Sequence, residues 1–380
     1  MKILIITYSR TKNYGGILQS YGLYKYLIDN GYDAEFIDYV PARCNVENKK
    51  VFTDNTVRKS KVWGKNKLTK ALWQIIEYPK IQEGFKPFRS FMDSRANFSH
   101  RYYSIDELKG DPPVGDIYIT GSDQVWNSQF NFSNEIDEPF YLNFVSGVKK
   151  ISYASSFGGN TIPEKNIEKV RQMLADYNYI SVRENGGRDL LSELDICAEV
   201  VADPTMLCSP STWEDMVADV NIKNYLLIYM IKFDDNIFKL AKKSAKRLNK
   251  SVKYIILNPN EKNNFKGSKK DVIVCPSLEK WLSYIHYSEL VITDSFHACV
   301  FSILFHKKFI VYTSTRKGMA GRIDDLLNMT GLQDRLIDNL TVLDVIKLFD
   351  ANCDFVKSDR AIEEYRAKSA KWLEEAIHSK

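Results

Sequence analysis

Short apolar runs that alternate with segments of helical spacing constrain the fold of this chain more than any other feature. The first run, KILIITY, is followed by a glycine-containing loop and by residues 18–30, whose apolar positions recur at close to helical spacing. Asn30-Gly31 is a typical helix stop, and a second apolar run, DAEFIDYV, comes next. This order predicts two parallel strands joined by a right-handed crossover.

The same alternation continues through both halves of the 380-residue chain. Strand-like runs include DIYIT, KKISYAS and NYISV in the first half, and NYLLIYMI, VKYIIL, ELVIT and KKFIVY in the second. A chain of this length exceeds a typical single core. We therefore predict two Rossmann-like α/β domains that face a cleft, with ligands at the carboxyl ends of the strands.

The predicted domains are residues 1–175 and 176–355. Residues 356–380 are predicted to form a helix that returns to brace the first domain, by analogy with other two-domain enzymes. Residues 41–100 interrupt the alternation, because they combine many basic residues with interleaved tryptophan and phenylalanine. We interpret this insertion as helical with a solvated basic face. The alternative is a surface for an anionic or membrane-bound substrate.

Composition excludes several classes of protein. The net charge of +5 is modest for this length, and no dense basic stripe indicates a nucleic-acid partner. The six cysteines are scattered without a C-x-x-C pair, so we predict neither a metal site nor a disulfide framework. No apolar run approaches the roughly 18 residues of a membrane span. We expect a cytoplasmic protein, with the inner face of the cell membrane as the alternative.

The loop after the first strand is the first candidate ligand site. It contains Asn13, Gly15 and Gly16, with Gln19 one turn later, and its spacing matches neither G-x-G-x-x-G nor a Walker loop. Two glycines allow either a close backbone approach to a ligand or a tight turn into the helix, and the sequence favours neither. The amides of Asn13 and Gln19 suit sugar hydroxyls.

A second candidate loop, GSDQVWN, follows the run DIYIT. It contains Ser122, Asp123, Gln124, Trp126 and Asn127. The carboxylate and the amides can hold vicinal hydroxyls, and the indole can present a flat face to a sugar ring. The alternative is an aspartate that caps a helix and a tryptophan that fills the core. We favour the functional interpretation.

A third candidate site is the turn TDSFH, where a buried strand meets a buried helix. Ser295 and the first-turn N–H groups can hold an anion, with Phe296 beside them. Of the five histidines, only His297 lies at such a strand-to-helix junction.

Basic residues in loops accompany this turn. They are Arg183, Arg316, Lys317 and Arg322. A guanidinium group matches carboxylate and phosphate, although surface charge alone explains Arg316 or Lys317 singly. Together with the Ser-Phe-His turn, they predict a pocket for a small and highly anionic ligand.

Six segments in register resemble the polysaccharide pyruvyl transferase family. They are NYGGILQSYGLYKYL, YITGSDQVWN, ISYASSFG, ISVRENGG, VVADPTML and VITDSFHACVFSILF, and the likeness extends to about residue 335. The resemblance implies two Rossmann-like domains in the glycosyltransferase-B arrangement. It also implies transfer of pyruvate from phosphoenolpyruvate to a sugar of a surface-polysaccharide or exopolysaccharide precursor, commonly as a cyclic ketal, without a further cofactor.

The resemblance carries over His297 and Arg183 as site residues, and the loops described above supply the other assignments. His297 becomes the general acid near the donor, and Asp123 positions or deprotonates an acceptor hydroxyl. Donor binding is assigned to Arg183, Ser295, Phe296, Arg322 and Lys317, and acceptor binding to Asn13, Gly15, Gly16, Gln19, Ser122, Gln124, Trp126 and Asn127. Ser295 and Ala298 stand where many relatives have arginine and glycine.

Three alternatives stay open at this point. The first is a nucleotide-sugar-dependent glycosyltransferase of the same architecture, and the second is a non-catalytic sugar-binding protein. The third concerns the acceptor, because the basic and aromatic residues from Arg58 to Arg95 also suit a lipid-pyrophosphate-linked sugar and peripheral contact with a membrane.

Overall fold

Two α/β units make up the chain, which was examined as a computed structural model. The structure describes residues 1–41, 44–58, 60–130, 135–231, 233–259, 261, 265, 267–312 and 321–379. Unit 1 comprises residues 1–200 and 373–380, and unit 2 comprises residues 201–372. Each unit contains its own parallel sheet, so the predicted class of two Rossmann-like α/β domains is confirmed.

Unit 1 is built on a sheet of seven strands within the described residues. The strands are β1 Lys2–Ile6, β2 Asp33–Tyr39, β3 Phe98–Tyr102, β4 Ile117–Thr120, β5 Lys149–Ser155, β6 Tyr179–Val182 and β7 Glu199–Val200. Their order across the sheet is β3-β2-β1-β4-β5-β6-β7, and neighbouring strands are parallel. The central strand β1 aligns Ile3 with Ala34 on one side and with Ile117 on the other.

Helices cover both faces of this sheet. They are α1 Tyr14–Asp29, α2 Lys49–Val57, α3 Lys67–Ile76, α4 Tyr78–Asp93, α5 Ile105–Gly110, α6 Ile167–Leu174 and α7 Asn185–Ser192. Residues 3–6 of β1 are fully buried, because a parallel strand between two helical layers exposes neither face. This burial explains the continuous apolar run that opens the sequence.

Unit 2 repeats the architecture with six strands among the described residues. They are β8 Tyr225–Tyr229, β9 Ser251–Ile256, β10 Val272–Val274, β11 Leu290–Thr293, β12 Lys308–Tyr312 and β13 Leu336–Ile337, in the order β10-β9-β8-β11-β12-β13. Its helices are α8 Pro204–Leu207, α9 Pro210–Glu214, α10 Asp235–Arg247, α11 Leu278–His286, α12 Phe296–Leu304, α13 Gly321–Thr330, α14 Val342–Asp350 and α15 Phe355–His378. α12 is buried along its whole length, next to the central strand β11.

The predicted domain boundary at residue 175 is wrong. Strand β6 pairs with β5, where Tyr179 lies opposite Ile151, and β7 pairs with β6 in turn. Unit 1 therefore extends to Val200. The sequence hides this boundary because strands and helices alternate across it without a change of composition.

The C-terminal helix α15 belongs to both units, since residues 373–380 group with unit 1. The hydroxyl group of Tyr26 donates a hydrogen bond to Glu374 at 3.2 Å, and Lys149 Nζ donates to the carbonyl oxygen of Ile377 at 3.0 Å. The lysine thus caps the end of the helix, where unpaired carbonyl groups favour a cation.

The insertion at residues 41–100 is mainly helical, as the sequence indicated, and it contains α2, α3 and α4. It also contributes the start of β3, an edge strand that pairs with β2. Over the part of the chain that the structure describes, no helix combines the length and the apolar character that crossing a membrane requires.

Candidate functional site

Four loops of unit 1 meet where neighbouring strands end. They follow β1, β4, β5 and β6, which are adjacent in the sheet. The carboxyl edge of a parallel sheet is where such folds bind ligands. We call this group the Asp123 site and define it by Asn13, Gly16, Asp123, Ser156 and Arg183.

The glycines after β1 permit a close approach of side chains to the start of α1. Asn13 caps the helix, since its side chain accepts a hydrogen bond from the Gly16 N–H group at 3.3 Å. A Cβ atom at Gly16 would lie 2.8 Å from Thr11 Cγ2 and 3.2 Å from Asp123 Oδ2. Gly16 therefore leaves room for the Asp123 carboxylate, while Gly15 is buried beside it.

Asp123 has a backbone conformation that is uncommon for residues other than glycine. Its φ angle is +69°, in the left-handed region that aspartate tolerates better than most residues. The carbonyl oxygen accepts hydrogen bonds from Val125 at 2.8 Å and from Ser156 at 3.0 Å. Unusual backbone conformations that the surroundings hold in place are typical of functional sites. The Asp123 side chain is 14% exposed, so its carboxylate is accessible.

Arg183 supports this carboxylate from within the unit. Its side chain is fully buried, its Nη2 lies 3.5 Å from Asp123 Oδ1, and its Nε lies 3.4 Å from Glu184 Oε2. Glu184 in turn accepts a hydrogen bond from the Ser156 hydroxyl group. One buried cation therefore balances two carboxylates at this edge of the sheet.

The position of Arg183 corrects its assignment to the second domain. The residue follows β6 of the first sheet and lies in unit 1, whereas His297 lies in unit 2. The predicted second domain, residues 176–355, included Arg183 because the boundary between the domains was set too early. Its role in binding the donor stays a prediction.

Gln124 and Asn127 bond to each other. Asn127 Nδ2 donates a hydrogen bond to Gln124 Oε1 at 2.8 Å, and Asn127 Oδ1 accepts one from the Gln129 N–H group at 3.0 Å. Both amides pack on Gly158, whose φ is +73° and where a Cβ atom would lie 2.3 Å from Gln124 Oε1. The pair fixes the loop around Asp123.

Three residues assigned to the acceptor lie in the interior instead. Trp126 is 3% exposed, donates from Nε1 to the Phe140 carbonyl oxygen at 3.2 Å, and stacks on Tyr141. Gln19 is fully buried, and its Nε2 donates to the Gly16 carbonyl oxygen at 2.9 Å. This corrects the prediction that the indole offers a flat face to a sugar. Residue type alone does not reveal on which side of a loop a side chain lies.

Ser122 is the third of these interior residues. It is fully buried, and its carbonyl oxygen accepts a hydrogen bond from Thr7 Oγ1 at 2.8 Å. The contact ties the loop after β4 to the loop after β1. Its assignment to the acceptor is therefore corrected to a structural role.

In unit 2, the turn between β11 and α12 carries the second candidate site. Ser295 caps α12, with its hydroxyl oxygen 3.4 Å from the Ala298 nitrogen. The Thr293 hydroxyl group donates to the Tyr229 carbonyl oxygen at 2.6 Å, and Asp294 Oδ1 accepts from the Ile231 N–H group at 2.7 Å. These bonds attach the turn to the neighbouring strand β8 and fix the N-terminus of α12.

His297 faces a buried carboxylate within unit 2. Its Nε2 atom lies 3.6 Å from Asp203 Oδ2 and has no hydrogen-bond partner among the described residues. Asp203 is fully buried, and its Oδ1 accepts hydrogen bonds from the N–H group of Thr205 at 3.0 Å and from its hydroxyl group at 2.7 Å. Asp203 therefore caps α8 with one oxygen and directs the other toward the histidine.

Asp203 belongs to this candidate site, although the sequence alone did not indicate it. It belongs to the segment VVADPTML, where an aspartate before proline is typical of a helix N-cap. Together with Ser295 and Phe296 beside it, His297 and Asp203 define what we call the His297 site.

Other predicted residues of the His297 site have different outcomes. The guanidinium carbon of Arg322 lies 5.7 Å from the centre of the Phe296 ring, which brings this cation to the site. Arg316 and Lys317 lie outside the described residues.

Burial, and then the nearby Asp294 carboxylate, raise the pKa of the Cys299 thiol, so this cysteine stays protonated at neutral pH. Within the described residues, no group of histidine, cysteine and acidic side chains is arranged to hold a metal ion.

The fold and the sites define a two-domain α/β protein of the glycosyltransferase-B-like class. Among solved structures, the Staphylococcus aureus MnaA–UDP complex matches with a TM-score of 0.56 at 12% identity, covering 99% of this chain and 95% of the other. A Listeria monocytogenes structure described as a putative UDP-N-acetylglucosamine 2-epimerase matches with a TM-score of 0.55 at 11% identity, again covering 99% of this chain and 95% of the other. The Neisseria meningitidis UDP-GlcNAc 2-epimerase bound to UDP-GlcNAc matches with a TM-score of 0.51 at 11% identity, covering 99% of each chain. These likenesses establish the fold alone.

The sequence itself identifies the family. Residues 13–316 match the family model described as polysaccharide pyruvyl transferase. The chain therefore belongs to the polysaccharide pyruvyl transferase family, a family of transferases, and the resemblance of its six segments is confirmed. A comparison with curated protein sequences gave no significant match.

Proposed function

We propose that this protein transfers pyruvate from phosphoenolpyruvate to a sugar of a surface-polysaccharide precursor and forms a cyclic ketal. The observation that carries the proposal is the distance of 3.6 Å between two buried groups, the Nε2 atom of His297 in the first turn of α12 and the carboxylate of Asp203. The enol phosphate group of phosphoenolpyruvate is activated by protonation at its methylene carbon, so a positioned acid is the group that this chemistry needs most. Family membership supports the same class of reaction.

The proposed donor site is the N-terminus of α12. Phosphoenolpyruvate carries a phosphate and a carboxylate, and the free N–H groups of a helix N-terminus favour anions. Ser295 supplies a hydroxyl group there, and Arg322 lies against Phe296. These residues supply the positive field and the hydrogen-bond donors that a small dianion requires.

The proposed reaction starts with a proton from His297 to the methylene carbon of phosphoenolpyruvate. This step forms the methyl group and an oxocarbenium-like centre, to which one sugar hydroxyl adds with loss of its proton. A second hydroxyl of the same sugar then bonds to the same carbon as its bond to phosphate breaks, and the proton of this hydroxyl leaves with the phosphate as hydrogen phosphate, which closes the ketal. Asp203 orients the imidazole ring throughout. These reaction steps are redox-neutral and need no cofactor.

The proposed acceptor site is the Asp123 site. Its carboxylate is partly exposed, is fixed by Arg183, and can accept the proton of a sugar hydroxyl group. Asn13 and Gly16 form the adjacent edge of this site. A lipid-pyrophosphate-linked sugar is the form of acceptor that the basic insertion favours.

Ligand-induced thermal stabilisation tests the donor. A ligand that binds only the folded protein raises its melting temperature saturably. We expect phosphoenolpyruvate to do so, Arg322→Ala to abolish the shift, and Arg247→Ala, an exposed arginine of α10, to preserve it. No shift with phosphoenolpyruvate would contradict the proposal. A shift with a UDP-sugar instead would identify a nucleotide-sugar-dependent glycosyltransferase.

A further inference from the structure

Helix α3 presents an apolar stripe to solvent. Leu68, Leu72, Ile75 and Ile76 are 70%, 44%, 69% and 46% exposed. Their spacing of four, three and one residues places them on one side of the helix. Scattered exposed apolar residues are common on protein surfaces, but four of them along one face of a short helix are not.

The opposite side of α3 attaches it to the rest of unit 1. Trp73 is buried, Gln74 Nε2 donates to Thr53 Oγ1 at 3.0 Å, and Lys70 pairs with Asp54 at 2.5 Å. A capping box at Asn66 fixes the start of the helix. The orientation of the helix is therefore determined by its own contacts, and the apolar stripe faces outward.

Basic residues precede the stripe and alternate with it along the sequence. Residues 58–76 contain six basic residues and no acidic residue. Lys61, Lys65 and Lys67 are exposed and form no ion pair with any residue that the structure describes. The flanking carboxylates are already neutralised, since Asp54 pairs with Lys70, and Glu77 pairs with Lys80 at 3.1 Å.

We propose that α3 and the loop before it dock on a membrane surface that contains anionic lipids. An amphipathic helix with apolar residues on one face and lysines around it lies in the plane of the lipid headgroups and buries its apolar side there. A second copy of this chain is a poorer occupant, because a symmetric contact would bring two unneutralised lysine clusters together. The inference is independent of the proposed donor chemistry.

Vesicle flotation tests this surface with the full-length protein. We expect binding to phosphatidylcholine vesicles that contain phosphatidylglycerol, little binding to phosphatidylcholine alone, and weaker binding at high salt. The triple variant Lys61→Gln, Lys65→Gln, Lys67→Gln should lower the partition coefficient roughly 100-fold, because each basic residue near an anionic surface contributes about fivefold. The double variant Leu72→Ser, Ile75→Ser should lower it roughly tenfold or more.

Matched variants elsewhere control for net charge and surface hydrophobicity. Lys242→Gln, Lys243→Gln, Lys246→Gln removes the same charge from α10, and Leu343→Ser, Val356→Ser alters residues that are 69% and 75% exposed. Both should bind vesicles like the wild type.

Three results would overturn the proposal. The first is no binding of the wild type to anionic vesicles at low salt, and the second is an equal loss in the control variants. The third is a dimer, seen by sedimentation velocity, that the Leu72 and Ile75 substitutions dissociate while vesicle binding is unchanged. All variants alter exposed side chains, so unchanged melting temperatures should accompany them. Because flotation is measured without phosphoenolpyruvate, its outcome is separate from that of the donor experiment.

Discussion

His297 Nε2 lies 3.6 Å from Asp203 Oδ2, and both side chains are buried in unit 2. The carboxylate is fixed by its hydrogen bonds to Thr205, and the imidazole ring is fixed by its place in the first turn of α12. The pair therefore combines a group that can move a proton with an anion that can orient it.

Replacing His297 with asparagine should remove the acid without removing a hydrogen bond of the fold, because Nε2 bonds to no described residue. We expect turnover to fall roughly 10²–10⁴-fold, the usual contribution of an acid or base. Phosphate release from phosphoenolpyruvate in the presence of a saccharide acceptor measures it. His306→Asn is the control, since His306 is exposed and its φ of +52° suits asparagine. Near-normal turnover in a folded His297→Asn protein would exclude this role.

Replacing Asp203 with asparagine separates positioning from capping. Asparagine keeps a side-chain oxygen that can accept the hydrogen bond from the Thr205 N–H group and so cap α8. It removes the negative charge that faces His297. We expect turnover to fall by up to about 10⁴-fold with a changed pH–rate profile and a nearly unchanged melting temperature, because the histidine loses the anion that orients it. Asp203→Ala should in addition lose about 1 kcal/mol of stability with the cap. If Asp203→Asn loses stability but keeps its pH profile, the residue is purely structural.

The strands and the candidate loops of both units were predictable, and the side-chain partners within them were not. Parallel strands buried on both faces form continuous apolar runs, so β1, β4, β8 and β11 are visible in the sequence. Loops at the carboxyl ends of those strands follow from the topology. Whether Trp126 lies in the loop or in the core depends on Phe140 and Tyr141, which fold back from a later segment. The role of Asp203 likewise depends on a residue more than ninety positions away, and no local pattern records that contact.

Trp126→Ala should behave as a core substitution. The ring packs on Tyr141 and Phe157 and is almost fully buried, so we expect a loss of about 3–5 kcal/mol in the free energy of unfolding. Chemical denaturation measures this loss. A large loss of acceptor affinity with unchanged stability would instead restore the sugar-stacking role.

Gly16→Ala should damage the start of α1 and the Asp123 site together. The new Cβ atom would lie 2.8 Å from Thr11 Cγ2 and 3.2 Å from Asp123 Oδ2, so one of these side chains must move. We expect a loss of about 1–3 kcal/mol in stability and a raised KM for the acceptor. Gly110→Ala is the matched control, because a Cβ atom there meets nothing within 4 Å, and it should be nearly neutral. Equal effects of the two substitutions would show that the contact with Asp123 is unimportant.

Arg183→Met should destabilise unit 1 strongly. The substitution leaves the carboxylates of Asp123 and Glu184 without the buried guanidinium that lies 3.5 Å and 3.4 Å from them. Breaking such a buried arrangement typically costs about 3–5 kcal/mol, because the remaining charges stay desolvated. Adding Glu184→Gln should recover part of the loss, since one uncompensated charge is then removed. Urea denaturation of the wild type, the two single variants and the double variant gives the four free energies of unfolding of a double-mutant cycle. Strictly additive losses would show that Arg183 and Glu184 do not interact.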